Sequence, residues 1–223
     1  MSLVADFTVD LQDFRLEIGL EVGGNEVVGV LGPNGSGKTT LLRAIAGLVP
    51  LASGRIELNG EVLEDVAAHR SVHPEERSLG FVFQDYLLFP HLSVLDNVAF
   101  ALRARGLTRP DAEARALDAL RNFGIESLVG SRPNRLSAGQ AQRVALARAL
   151  VAKPSALLLD EPLAAFDFSA RAAARRELPR WLETFPGIRL LVTHDPVDAV
   201  TLCNKIVVLE QGRIVHEGRV GVS

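Results

Sequence analysis

Apolar and polar residues alternate from Phe14 to Val22, the period-2 signature of a strand with one face in a core. A shorter strand precedes it at Phe7 to Val9. Four other segments are apolar without interruption: Val27-Val28-Gly29-Val30-Leu31, Ala156-Leu157-Leu158-Leu159, Leu190-Leu191-Val192-Thr193 and Ile206-Val207-Val208-Leu209. Such runs belong to strands covered on both faces, as in a parallel sheet between helices. Leu79 to Phe83 reads as a further strand ending at Gln84, and Gln211-Gly212 turns the chain into a last one at Arg213-Ile214-Val215. Gly54 to Leu58 and Glu61 to Leu63 flank Asn59-Gly60, a pair suited to a type I′ hairpin turn.

Helical spacing appears at Thr39 to Leu48, where Leu41, Leu42, Ile45 and Ala46 share a face, and it stops at Gly47 to Pro50. From about 93 to 152 the period is again helical, with Leu117, Leu120 and Phe123 on one side of Asp111 to Phe123. Val144, Ala147 and Val151 line Arg143 to Val151 in the same way. The pattern predicts an α/β fold. Residues 1–84 and 153–223 form the core, which opens with antiparallel strands, and 85–152 form an inserted helical subdomain. All 223 residues read as one domain without repeats or low-complexity linkers.

Composition narrows the class. Hydrophobic residues make up 48% and charged residues 23%, the balance of a globular protein able to bury a large core. A net charge of −3 argues against a nucleic-acid partner, which normally meets a basic face. No apolar stretch approaches the roughly 18 residues that cross a bilayer, and Met1 to Asp6 lacks the basic and apolar regions of a signal peptide. The single cysteine, Cys203, excludes an internal disulfide.

The sharpest chemistry lies between the strand at Val27 to Leu31 and the helix beginning near Thr39. Gly32-Pro33-Asn34-Gly35-Ser36-Gly37-Lys38-Thr39, continuing into Thr40, has the G-x-x-x-x-G-K-T spacing of a phosphate loop. Backbone N–H groups there form a cup at the positive end of a helix dipole, which favours triphosphate oxygens. Lys38 would reach the β- and γ-phosphates, and the Thr39 hydroxyl would ligate Mg²⁺. The implied ligands are a nucleoside triphosphate and Mg²⁺.

Asp160 and Glu161 follow a buried strand at the end where ligands bind in open α/β sheets. Asp160 would hold Mg²⁺ through a coordinated water, and Glu161 would polarise the water that attacks the γ-phosphate. Read locally, Glu161 is only a carboxylate at a helix start, with Pro162 in the first turn. Ser137 with Gln140 three residues later is a capping box, and a capped helix end is also an anion site.

In order along the chain stand the phosphate loop, Gln84, Leu136-Ser137-Ala138-Gly139-Gln140, Leu157-Leu158-Leu159-Asp160-Glu161-Pro162 and Thr193-His194-Asp195. This succession resembles the ATP-binding subunit of an ABC transporter over essentially the whole chain. The resemblance implies ATP and Mg²⁺ as cofactors and ATP hydrolysis as the activity. It assigns Gln84 to Mg²⁺ or the attacking water, and His194 to the γ-phosphate. It places Ser137, Gly139 and Gln140 against the ATP held by a second copy, so that a head-to-tail homodimer completes two sites. Asp167 matches an aspartate that crosses that interface. Three features depart from the family pattern: Ala138 replaces a glycine, Phe166 enlarges the segment Ala164-Ala165-Phe166-Asp167, and the base-stacking aromatic is not evident. Phe14 is the candidate nearest to that role, in a loop that reads as short.

His73 to Gln84, continuing through Leu88-Phe89-Pro90-His91-Leu92-Ser93-Val94, resembles bacterial importer ATPases, those for molybdate most closely. The expected partners are integral-membrane permease subunits and, through them, a solute-binding protein. The expected place is the cytoplasmic face of the cell membrane. Leu87, Leu88, Phe89 and Pro90 would line the groove that receives a helix of the permease. The chain as given ends soon after Gly218-Arg219, so no C-terminal β-rich regulatory domain of the kind common in that group is expected within it, whether the protein lacks one or continues beyond. The rival is a soluble ABC ATPase acting on nucleic acid or the ribosome; it would require a coiled-coil insertion or a second cassette, and the sequence contains neither.

Overall fold

A computed structural model describes residues 1–24 and 26–221. In chain order the strands are β1 (Ser2–Leu11), β2 (Phe14–Gly23), β3 (Val27–Leu31), β4 (Ser53–Leu58), β5 (Glu61–Asp65), β6 (Arg70–Ser71) and β7 (Leu79–Val82). They continue with β8 (Ala156–Asp160), β9 (Ile188–Thr193), β10 (Lys205–Glu210) and β11 (Arg213–Arg219). The helices are α1 (Lys38–Ile45), α2 (Val94–Ala104), α3 (Arg109–Asn122), α4 (Ala138–Leu150), α5 (Phe168–Glu183) and α6 (Pro196–Leu202).

All strands join one sheet in the order β6-β5-β4-β1-β2-β11-β10-β3-β9-β8-β7. From β10 through β3, β9 and β8 to β7 the pairing is parallel. Every residue of β8 and β9 is buried, as continuous apolar runs demand when helices cover both faces. The other half is antiparallel. β11 pairs antiparallel with β10 along its length and meets β2 at one parallel position, Arg213 with Glu17, which joins the two halves. The fold class is the one expected: a phosphate-loop α/β core with an N-terminal antiparallel layer and helices inserted between β7 and β8.

β1 runs well beyond Phe7 to Val9, because β2 pairs with it on one side and β4 on the other. Leu3, Ala5, Phe7 and Val9 enter the core while Val4 and Asp6 face out. At the β4–β5 turn both Asn59 (φ 55°) and Gly60 (φ 81°) take the left-handed backbone that type I′ requires. Ser93 and Thr108 cap α2 and α3 by accepting from the N–H groups of Asp96 and Asp111. Helix α5 was not evident in the periodic reading; it buries Ala174, Leu178 and Leu182, a narrow stripe in an arginine-rich segment.

The far end of α1 is closed by a buried ion. Arg77, 1% exposed, donates to the Ile45 carbonyl at 2.8 Å and to the Ala44 carbonyl, which also accepts from Gly47 N–H, at 3.3 Å, both in the last turn of the helix. It also donates to Val72 O at 2.9 Å and pairs with Glu64 at 2.6 Å. Gly47 leaves room for it: a Cβ there would lie 2.6 Å from the guanidinium carbon. Removing the cation strands Glu64. Arg77→Met is therefore expected to cost about 3–5 kcal/mol in denaturant unfolding, with much of the loss recovered in Arg77→Met/Glu64→Leu. A single variant within about 1 kcal/mol of the parent would contradict the assigned role.

Candidate functional site

The site forms where β3, β8 and β9 present their C-terminal ends side by side. Beyond Leu31 the chain turns sharply at Gly32, where a Cβ would sit 2.2 Å from the Leu209 carbonyl oxygen. It enters α1 at Gly37, whose φ of 104° suits only glycine; a Cβ there would also lie 2.8 Å from the Phe14 ring. These two glycines let the loop lie close against the sheet and the β1–β2 hairpin.

Lys38 folds back across this loop and donates to the carbonyls of Gly32 and Pro33, each at 2.9 Å. Its ammonium is 3.9 Å from Glu161 Oε1. Burial lowers the Lys38 pKa, against the pull of Glu161 and Asp160 in the other direction. The Ser36 hydroxyl is buried, and among the described residues it has no hydrogen-bond partner. A buried hydroxyl without a partner in this loop fits a group that would supply an acceptor, as a phosphate oxygen does.

Thr39 Oγ1 donates to Asp160 Oδ1 at 3.0 Å, bringing two hard oxygen donors from α1 and β8 together. Both suit Mg²⁺, which prefers oxygen ligands and is bound by few protein groups beside substrate phosphates. Glu161 has a φ of 45°, a backbone rarely adopted by a non-glycine residue. Its N–H donates to Val192 O at 3.0 Å, and its Oε2 lies 2.5 Å from His194 Nδ1. The imidazole thus holds the carboxylate between the ends of β8 and β9.

Around these groups lies a cavity of about 450 Å³ lined by Asn34, Gly35, Gly37, Lys38, Thr39, Thr40, Gln84, Glu161 and His194. Leu11 and Phe14 complete its wall. The hairpin joining β1 and β2 therefore delivers Phe14 beside the phosphate loop, although the short connection had hidden this in the sequence. Ser137, Gly139, Gln140 and Asp167 do not line the cavity. Ser137 Oγ accepts from Gln140 N at 3.3 Å and Gln140 Oε1 accepts from Ser137 N at 2.9 Å, closing the capping box of α4. Asp167 caps α5 by accepting from Ala170 N at 2.8 Å. The two segments meet in the same chain, since a Cβ on Gly139 would lie 3.6 Å from the Phe166 ring.

One set of residues was missed. Asp195, next to His194, receives Arg175 at 2.6 Å and Arg171 at 3.3 Å, and Arg175 also pairs with Asp198. Burial alone would raise the Asp195 pKa, but the Val197 N–H and the two arginines outweigh it and hold the carboxyl below its ordinary value. α5 thereby anchors the residue beside His194. Leu178 and Leu182, four apart with Ala174 before them, carried the signal for this helix.

The ABC transporter family matches residues 16–164 of the sequence. The chain belongs to that family. The spermidine/putrescine import ATP-binding protein PotA of Haemophilus influenzae is 43% identical over 209 residues, covering 93% of this chain and 53% of that protein. The molybdenum import ATP-binding protein ModC of Mycobacterium tuberculosis is 44% identical over 212 residues, covering 93% and 58%. The chain thus spans little more than half the length of these ABC relatives. A solved ATP-binding cassette, a dimer in a post-hydrolysis state bound to ADP and Pi, superposes with a TM-score of 0.80 at 28% identity, with both chains covered completely. Among the described residues no helix is long and apolar enough to cross a membrane.

The charge burial has a measurable consequence. Burial raises the Asp160 pKa; the Thr39 hydrogen bond opposes this and the Glu161 charge adds to it. The native state then holds this proton more tightly than the unfolded chain, so stability falls as pH rises from the ordinary carboxylate value through the raised one. Asp160→Asn should unfold at a higher temperature than the parent at pH 7 without nucleotide, and the gain should shrink on acidification. A lower thermal midpoint at pH 7 would contradict this.

Proposed function

We propose that this chain is the ATP-hydrolysing subunit of a bacterial ABC importer, acting as a head-to-tail homodimer with two ATP at its interface. The carrying observation is the convergence of Lys38, the Thr39–Asp160 pair and the Glu161–His194 pair on one cavity from which Ser137, Gly139 and Gln140 are absent. That site is half complete in a single chain. The dimeric cassette with ADP and Pi supports the same reading.

In this reading the loop from Gly32 to Thr40 binds the phosphates through Gly35, Ser36, Gly37 and their neighbours, with Lys38 turning from its carbonyl partners to the β- and γ-oxygens. Thr39, Asp160 and Gln84 hold Mg²⁺, which neutralises charge on the phosphate oxygens when bound. Glu161 orients and deprotonates the attacking water, and His194 keeps that carboxylate aimed across the cavity. Phe14 supplies the flat apolar wall for adenine. Ser137, Gly139, Gln140 and Asp167 act on the partner's nucleotide.

Closure would pull the helical insertion, 85–152, toward the partner and move the permease subunits docked on Leu87, Leu88, Phe89 and Pro90. Leu87 is 55% exposed and Phe100, whose ring packs 4.6 Å from Phe89, is 44% exposed, an apolar surface fit for a permease helix. The chain would then sit on the cytoplasmic face of the membrane. The solute we propose is molybdate or a similar oxyanion, delivered by a solute-binding protein; ModC supports it, and the polyamine specificity in PotA's name is the competing outcome of an uptake assay.

Glu161→Gln should retain ATP binding while hydrolysis falls on the order of 10²-fold or more, the scale of lost general-base catalysis. Turnover near the parental rate would remove Glu161 from the role.

A further inference from the structure

The carbonyl of Pro162, one residue beyond Glu161, receives two side-chain donors. Tyr86 Oη donates to it at 3.2 Å and Gln142 Nε2 at 2.9 Å. Both acceptor positions of that oxygen are therefore taken. Neither donor comes from 1–84 or 153–223: Tyr86 lies in the segment leaving β7 and Gln142 lies on α4, two residues after Gln140. Both side chains are almost fully buried, at 5% and 2% exposure.

A buried tyrosine hydroxyl needs some acceptor, so the bond alone would be unremarkable. Its two ends make it informative. At one end is the turn that holds Glu161 at a φ of 45°, a conformation that persists only while neighbours enforce it. At the other end Tyr86 (φ 58°) and Leu87 (φ 41°) are consecutive left-handed residues without glycine. Their carbonyls are gripped by Arg148 of α4, at 2.6 Å for Tyr86 and 2.8 Å for Leu87. The guanidinium also lies 5.4 Å from the centre of the Phe89 ring. The chain is thus strained on both sides of one hydrogen bond, and Leu87 emerges directly onto the exposed apolar surface.

We propose that Tyr86 and Gln142 are positioning residues that set the aim of Glu161 through the Pro162 carbonyl, so that displacement at Leu87 or of α4 reaches the reacting carboxylate without passing through Gln84. This rests on the reading of Glu161 given above. Tyr86 contributes from the segment that faces the membrane subunits, Gln142 from the helix that faces the partner's nucleotide. One oxygen then registers both events: pulling either donor away loosens the turn that aims Glu161, and pulling both frees a strained backbone to relax. Burial pushes the Tyr86 hydroxyl well above its ordinary pKa, so it remains a donor throughout the working range of pH.

The test uses the full chain with Mg·ATP. Tyr86→Phe removes one oxygen and leaves the Pro162 carbonyl paired to Gln142, so the fold should hold. We expect kcat to fall on the order of fivefold, the scale of one hydrogen bond, with KM for ATP and the nucleotide-free thermal midpoint at parental values. Tyr86→Phe/Gln142→Met should lose more than the product of the single losses, because the carbonyl is then left bare. In a Glu161→Gln background, Tyr86→Phe should change the residual rate no further. A parental kcat in Tyr86→Phe alongside an inert Glu161→Gln would overturn the proposal alone. A loss in Tyr86→Phe that persists in full in the Glu161→Gln background would overturn it too, as a structural effect. A fully active Glu161→Gln would overturn both this proposal and the reading beneath it.

Discussion

Lys38, Asp160 and Glu161 are each more than nine-tenths buried, and all three meet at the mouth of a parallel sheet. Charges taken out of water at that depth are costly unless each finds a partner. The partners in hand are few: the lysine leans on two loop carbonyls and lies 3.9 Å from the glutamate, the aspartate has one hydroxyl, and the glutamate also meets an imidazole. Much of the remaining architecture keeps this arrangement from relaxing. β8 and β9 are buried along their whole length, so neither carboxylate can retreat by bending its strand. Arg77 closes the opposite end of α1, fixing the helix whose N-terminus faces the cavity. Lys38, Thr39 and Asp160 would engage a polyphosphate and its metal ion, so nucleotide binding is expected to stabilise the fold.

The same constraint explains how the helical insertion is tied to the core. α4 meets the core through Ala145 and Leu146, packed with Val82, Leu157 and Leu159, and through Gln142, whose side chain donates to Pro162 O; Arg148 holds Tyr86 and Leu87 where the insertion begins. α5 reaches Asp195 through Arg171 and Arg175. The Gln142 contact ends on the residue after Glu161, and those of Arg171 and Arg175 on the residue after His194. Polar links of this kind are directional, so a rotation of α4 or α5 is felt at the site as a change of aim.

The parallel strands, the phosphate loop and the capping box were legible because each depends on neighbours within a few residues. Val27 to Leu31 and Ala156 to Leu159 are apolar whatever surrounds them, and Ser137 with Gln140 closes its own ring. β1 was legible only in part, since Ser2 to Asp6 becomes a strand through pairing with β2 and β4, partners distant in sequence. α5 escaped because its apolar stripe is three residues wide in a run of arginines and alanines, with Pro179 inside it. Phe14 could be seen but not placed: its approach to Gly37 depends on how the β1–β2 hairpin packs over α1. The links through Pro162 were invisible, because a backbone carbonyl carries no signature in sequence.

The central claim is that one site needs residues from two copies. Lys38→Ala and Ser137→Arg should each be inactive alone, the first through its own phosphate loop and the second through the partner's nucleotide. Mixing the two inactive proteins and measuring ATP hydrolysis tests the claim directly. A head-to-tail dimer of one copy of each has one site with an intact loop facing an intact signature, so activity should reappear. If the mixture stays as inactive as its components while the two variants demonstrably pair, the site does not draw on both copies and the account fails.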